Sequence, residues 1–232
     1  MQRWLVVCVL ALGACGSSSP TKADQGRSIA EEAGLPADVA DFFAQASGGT
    51  RAPYRVTLTT TDTAGKPLHV TTTERPPDER VDTFHADGTI DASITTQGHH
   101  YQCTMAANHW DCGDLGTAST SSGQIFGATA VQLAIDRFRQ RAGDYDFRVE
   151  PRAIAGASAK CLVTTRKPGH EQDPTVGASA TLCLSPEGAV VLAETPSGTL
   201  TATAYTTAIP PDAFALPAAV GSAGSSAPPP AN

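Results

Sequence analysis

The chain has 232 residues, of which 41% are hydrophobic and 17% are charged, and its formal net charge is −7 at pH 7. An acidic chain without basic runs is a poor ligand for nucleic acid or for anionic lipid head groups, so we expect no nucleic-acid partner and no electrostatic docking on a membrane. This length and hydrophobic content suffice for one domain with a substantial core.

The first feature in chain order is a secretory signal. Arg3 supplies a positive charge, residues 4–12 form an apolar run, and small residues lie directly before Cys15. The run is too short to cross a bilayer as a helix, which needs about 20 residues, but it suits a signal peptide. Leu12-Gly13-Ala14-Cys15 resembles the lipobox of bacterial lipoproteins, and the resemblance implies cleavage after Ala14 and a lipid on Cys15.

The signal sets the expected boundaries of the other segments. Its removal takes Arg3 and leaves 15 basic against 23 acidic residues, a net charge of −8. We expect a lipid-anchored protein on the extracytoplasmic face of the cell membrane. Segments rich in Gly, Ser, Ala and Pro are expected to be a flexible tether and a disordered tail. The predicted segments are a signal peptide (1–14), a lipidated tether (15–26), a single domain (27–220) and the tail (221–232).

Two helical regions are predicted. The first covers residues 25–46, with a break at Leu35 and with Pro36 well placed to open a second helix. The second covers residues 124–140 and lies between two β-rich halves, where it can cover the concave face of a curved sheet. Both have apolar residues at helical spacing: Val39, Phe42, Phe43 and Ala46 in the first, and Ile125, Ala128, Val131, Ile135 and Phe138 in the second.

The sequence pattern in the rest of the domain predicts short β-strands. Apolar and polar residues alternate with a period of two, and Gly- and Pro-containing turns separate the segments. Tight turns between short strands favour an antiparallel meander over βαβ units. The expected strands are 54–61, 68–73, 81–85, 89–96, a hairpin around 107–108, 146–154, 158–165, 178–184, 189–195 and 199–208.

Four cysteines remain in the exported chain, and a hairpin register predicts how they pair. If Ala107-Asn108 is a two-residue turn, Cys103 and Cys112 lie directly opposite each other as a non-hydrogen-bonded pair, with Cα atoms about 4.5 Å apart. Cys161 then pairs with Cys183. Zinc is the alternative, but these spacings are wider than those of zinc ligands, and an oxidising exterior favours disulfides.

Three stretches, in this order, resemble a known family. They are Glu74–Val81, with its Arg-Pro-Pro-x-x-Arg sequence, Gly98–Tyr101, and the closing Ile209–Pro217. Over residues 36–217 the chain is similar to the bacterial lipoprotein-carrier fold of LolA and of the mycobacterial LppX/LprG-type lipoproteins. The resemblance implies an α+β fold, in which an antiparallel meander forms an unclosed half-barrel whose concave face is covered by N-terminal and central helices. It also implies a ligand, since several members hold acyl chains there.

Two groups of residues are candidate ligand contacts. In the hairpin register, Tyr101, Met105 and Trp110 share a face, which forms either part of a ligand-binding wall or an ordinary core patch. The central helix presents apolar side chains toward the same concavity. Its candidate contacts are Ile125, Phe126, Val131, Ile135 and Phe138.

Catalytic motifs are not found in the sequence. It has no Gly-x-Ser-x-Gly elbow, no His-Glu-x-x-His and no P-loop. His99, His100 and His109 form the only histidine grouping, and their separation makes a metal site a weak alternative. We therefore expect no enzyme, metal or cofactor. The sequence predicts a membrane-anchored protein that binds or carries an acyl or other apolar ligand; the alternative is a filled envelope scaffold or sensor with a protein partner.

Overall fold

The computed structural model describes residues 22–48, 52–61, 65–117, 142–170 and 177–220. The signal, Cys15, the predicted helix over 124–140 and the tail lie outside these ranges. The described residues form two α-helices, one 3-10 turn at Ala142–Asp144, and eleven strands. The helices are α1 (Lys22–Glu32) and α2 (Ala37–Gly48), and the strands are β1 (Tyr54–Thr61), β2 (Pro67–Arg75), β3 (Asp78–Phe84), β4 (Ile90–Thr96), β5 (His99–Ala106), β6 (His109–Thr117), β7 (Tyr145–Ile154), β8 (Ala157–Arg166), β9 (Ser179–Leu184), β10 (Val190–Thr195) and β11 (Gly198–Thr206).

The strands form one antiparallel sheet in the order β6-β5-β4-β3-β2-β1-β11-β10-β9-β8-β7. Strands β1 to β6 make one meander and β7 to β11 make a second. The two meanders are joined where β1 pairs with β11, for example through Leu58 and Ala202. Strands β6 and β7 are the edges of the sheet and do not pair with each other, so the described sheet is unclosed. The predicted antiparallel meander with few helices is confirmed.

The predicted break between the N-terminal helices is also confirmed. Gly34 has a φ of +71°, and the amide of Leu35 donates to the carbonyl of Ala30 at 3.1 Å, which ends α1. The carbonyl of Pro36 accepts from the amides of Val39 and Ala40 and so opens α2. Helix α1 begins at Lys22, so the last five residues of the predicted tether are helical.

One face of the sheet, here called the helix face, packs against α2. Leu162 and Leu184 lie in one buried cluster with Val39, Phe42 and Phe43 of α2. The strand register carries this face across the whole sheet, because directly opposite residues share a face. It runs through Leu162, Leu182, Ala193, Leu200, Ala202, Leu58, Val70, Thr83, Asp91, Thr104 and Asp111.

The opposite face, here called the disulfide face, carries both cysteine pairs. The register links them through Cys103, Ala92, Asp82, Thr71, Thr57, Thr59, Thr201, Leu192 and Cys183. The two faces differ in character along the sheet. Over β4 to β6 the helix face is polar and the disulfide face is apolar. Over β8 to β10 both faces bury apolar side chains, with Leu162 and Leu184 on the helix face and Cys161, Cys183 and Leu192 on the disulfide face.

Candidate functional site

The part of the helix face under α2 is a close-packed core. Phe42 is 1% exposed and Phe43 is 2% exposed, and their rings meet edge to face with centroids 6.0 Å apart. The Gln45 side-chain amide donates to the carbonyl of Ser185 at 2.7 Å, which fixes the end of α2 on the turn after β9. This part of the face is filled by protein side chains.

Beyond α2 the helix face continues as an apolar strip. This strip consists of Val56, Leu58, Val70, Leu200 and Ala202, which lie on β1, β2 and β11. The buried residues that pack with α2, by contrast, are on β8 and β9, with half-buried neighbours on β7 to β10. The strip therefore lies on the sheet strands next to those that α2 covers.

The hairpin predicted around residues 107–108 is present. Ala107 and Asn108 have φ values of +50° and +61°, as a type I′ turn requires. Cys103 lies opposite Cys112, and the two are bonded with Cα atoms 4.1 Å apart. Cys161 is bonded to Cys183 with a Cα separation of 3.9 Å. The structure therefore has both predicted cysteine pairs.

Tyr101, Met105 and Trp110 share one face, as the register predicts, but it is the disulfide face and not the one that α2 covers. Met105 lies opposite Trp110. Tyr101 and Trp110 are half-buried and pack against the cluster of Ala92, Ile94 and the Cys103–Cys112 pair. Leu216 and Ala218 pack against the same cluster. The geometry brings these three candidates together, but on the opposite side of the sheet from α2.

The five candidates on the central helix lie outside the described residues. Ile125, Phe126, Val131, Ile135 and Phe138 fall within 118–141, which separates β6 from β7 along the chain. Their contacts with a ligand stay a prediction.

Three histidines in the described part of the chain, His85, His99 and His170, each lie beside one carboxylate. His85 lies 2.8 Å from the Asp91 carboxylate, and His99 lies 3.1 Å from that of Asp114. The Thr104 hydroxyl also donates to Asp91, at 2.8 Å. No group of three or more potential metal ligands occurs among the described residues.

A half-buried hydrogen bond links the turn after β9 to β11. The Tyr205 hydroxyl donates to the carboxylate of Glu187. Burial, together with this hydrogen bond, raises the pKa of Tyr205 to about 12. Burial acts to raise the pKa of Glu187 as well, but hydrogen bonds from Tyr205, its own amide and Ser185 outweigh it, so that pKa is lowered. The pair is therefore a neutral phenol on an ionised carboxylate at neutral pH.

The C-terminal segment, residues 209–218, covers the apolar part of the disulfide face. The guanidinium of Arg80 donates to the carbonyls of Ala213 and Ala215 at 3.4 and 3.2 Å. That of Arg75 lies 4.8 Å from the centre of the Phe214 ring. Arg75, Arg80 and Phe214 lie in two of the family-like motifs, but no local pattern in the sequence indicates that they meet.

Comparison with solved structures finds similarity to a mycobacterial lipoprotein. The chain is similar to the crystal structure of the Mycobacterium tuberculosis lipoprotein LppX, with 14% sequence identity, coverage of 68% of this chain and 88% of that chain, and a TM-score of 0.35.

Other comparisons give no match. No protein-family model matches the sequence, and a search of curated proteins finds no similar chain. Within the described ranges, no helix is long and apolar enough to cross a membrane.

Proposed function

We propose that this chain is an extracytoplasmic lipoprotein, anchored to the cell membrane through a lipid on Cys15, that holds an acyl chain or another apolar molecule on the helix face of its sheet. The observation that supports the proposal is the strip on β1, β2 and β11, of which Val56, Leu58, Leu200 and Ala202 belong to a second buried apolar cluster beside that of α2. A surface of this kind needs no catalytic group.

An acyl chain suits the strip on energetic grounds. Burial of each methylene contributes about 0.8 kcal/mol, so a long chain gains affinity from apolar contact alone. We assign the opposite wall of the site to the central helix, with Ile125, Phe126, Val131, Ile135 and Phe138 as contacts. The site leaves out Tyr101, Met105 and Trp110, since they lie on the disulfide face.

A second candidate function rests on how deeply the strip is buried. Val56 and Leu58 are each only 2% exposed, and side chains buried to this extent also occur in filled cores. A filled domain would act through its surface, as an envelope scaffold or as a sensor with a protein partner. The two functions differ in whether the purified protein retains an apolar molecule.

Native mass spectrometry of the protein extracted from its own membrane distinguishes these functions. The lipid-binding function predicts a heterogeneous bound mass, and Val56→Thr, which keeps the side-chain volume but adds a hydroxyl to the strip, should reduce the fraction that carries it. Val163→Thr is the matched control, because Val163 is also buried but lies on the disulfide face, beside Cys161. Absence of bound mass from wild type and both variants would favour the scaffold. Equal retention by both variants would place the ligand elsewhere.

A further inference from the structure

Arg80 holds the C-terminal segment through backbone carbonyls. Its Nε lies 2.9 and 3.0 Å from the two carboxylate oxygens of Asp82, so its charge is already paired. A terminal nitrogen of the same guanidinium donates to the carbonyls of Ala213 and Ala215. A paired guanidinium with N–H donors to spare suits neutral backbone carbonyls better than an anionic head group, which would compete with Asp82.

The C-terminal segment also makes apolar contacts through two of its side chains. Phe214 is 5% exposed and has the Arg75 guanidinium over its ring, a favourable cation–π arrangement. Two residues further on, Leu216 packs with Ala92, Ile94 and the Cys103–Cys112 pair. An aromatic residue and a leucine two positions apart therefore occupy adjacent places on the disulfide face.

The segment makes its own shape without pairing with a strand. The amide of Ala213 donates to the carbonyl of Pro210 at 3.2 Å, and that of Ala215 to the carbonyl of Asp212 at 2.9 Å. Across the described residues, these two are the backbone–backbone hydrogen bonds that the segment makes. Release of the segment would therefore leave the hydrogen-bond ladder of the sheet intact.

We propose that the disulfide face of β2 to β6 is a peptide-binding site, which this chain fills with its own C-terminal segment and which takes a segment of the same pattern from another polypeptide. The pattern is a Pro-Pro turn followed by a phenylalanine and a leucine, as in Pro210, Pro211, Phe214 and Leu216. This site is separate from the proposed ligand surface, since it lies on the other face of the sheet.

The test uses the full chain with its own segment released by the double substitution Phe214→Asp and Leu216→Asp. A fluorescent peptide with the sequence of residues 209–220 is titrated with this variant, and binding is measured by anisotropy. The control peptide carries the same two aspartates. After removal of the signal, Trp110 is the sole tryptophan. Because it packs against the site, its emission gives a measure of binding and folding that is independent of the peptide's anisotropy.

We expect the variant to bind the natural peptide at least about tenfold more tightly than the control peptide, since the buried Phe214 and the half-buried Leu216 supply most of the affinity. The unsubstituted chain should bind it about 100-fold more weakly than the variant, because its own segment competes at millimolar effective concentration. A variant that melts cooperatively but binds both peptides equally would overturn the proposal. If the double variant does not fold, Phe214→Ala replaces it, and the same comparison of peptides decides.

Discussion

The ring of Pro196, in the turn between β10 and β11, occupies the space that a Cβ atom at Gly177 would need. Gly177 also has a φ of +68°, and its carbonyl accepts a hydrogen bond of 3.2 Å from the buried hydroxyl of Tyr145. Two separate constraints therefore require glycine here: the left-handed backbone and the closeness of the proline.

Gly177→Ala should accordingly lower the free energy of unfolding by about 2–4 kcal/mol, of which about 1–2 kcal/mol comes from the positive φ and the rest from overlap with Pro196. Urea denaturation measures the loss. Gly169→Ala is the matched control, because Gly169 has a φ of +82° but no atom within 4 Å of the added Cβ. It should lose only the φ contribution. Equal losses at both sites would contradict the contact with Pro196.

The hydrogen bond between Tyr205 and Glu187 predicts a pH-dependent contribution to stability. The lowered pKa of Glu187 means that its contribution is present above the ordinary carboxyl pKa and is lost as the pH falls through the folded value. The raised pKa of Tyr205, about 12, means that its contribution is present below the ordinary phenol pKa and is lost as the pH rises through 12. Tyr205→Phe should therefore cost about 1 kcal/mol near pH 7.

Chemical denaturation of wild type and Tyr205→Phe at pH 7 and under acid conditions checks this prediction. The difference between the two proteins should shrink in acid, once Glu187 is protonated. Glu187→Gln is the control, since it keeps an acceptor for the phenol but has no charge to titrate. In the Glu187→Gln background, the loss of stability caused by Tyr205→Phe should not shrink in acid. A difference that is constant with pH would show that the carboxylate makes no contribution.

The disulfides predict a defined peptide map. Digestion without reduction should yield one linked pair containing Cys103 and Cys112 and another containing Cys161 and Cys183, as the structure joins them. Loss of either link by a paired change to serine should cost about 3 kcal/mol by the chain-entropy estimate. Crossed links, or free thiols at these four positions in exported protein, would contradict the assignment.

The lipobox predicts that Cys15→Ala blocks lipidation and leaves unprocessed precursor. Detergent phase partitioning should recover the wild type in the detergent phase, because a lipid anchor buries its methylenes there. Cys8→Ala is the control, since Cys8 lies inside the predicted signal and should not affect the modification. The anchor is rejected if wild type and Cys15→Ala both partition into the aqueous phase.

Phe138 distinguishes an open ligand site from a filled core. Phe42, which is 1% exposed under α2, gives the reference: Phe42→Ala should cost about 3–5 kcal/mol because it leaves a cavity in packed protein. If Phe138 borders a ligand, Phe138→Ala should cost less than this and should instead reduce the amount of bound lipid. Thermal unfolding and lipid retention are measured on delipidated and loaded protein. A full-sized loss without bound lipid in either protein would favour the scaffold.

Local sequence patterns were sufficient for much of the fold. Alternation with a period of two placed β1 at Tyr54–Thr61 as the structure has it, because the strand period depends only on neighbouring residues. The turn at Ala107-Asn108 determined the register of β5 and β6, and hence the pairing of Cys103 with Cys112, since a two-residue turn leaves one choice of opposite residues.

The tertiary structure alone decided which face of the sheet packs against α2 and which packs against the C-terminal segment. The register correctly predicted that Tyr101 and Trp110 share a face. That this face points away from α2 depends on the pairing of β1 with β11, through residues as distant in sequence as Leu58 and Ala202. The contact of Arg80 with Ala213 likewise joins residues that no local pattern connects. Periodicity indicates that a strand has two faces, but the choice of face depends on what packs on it, and the packing partners here come from the two ends of the chain.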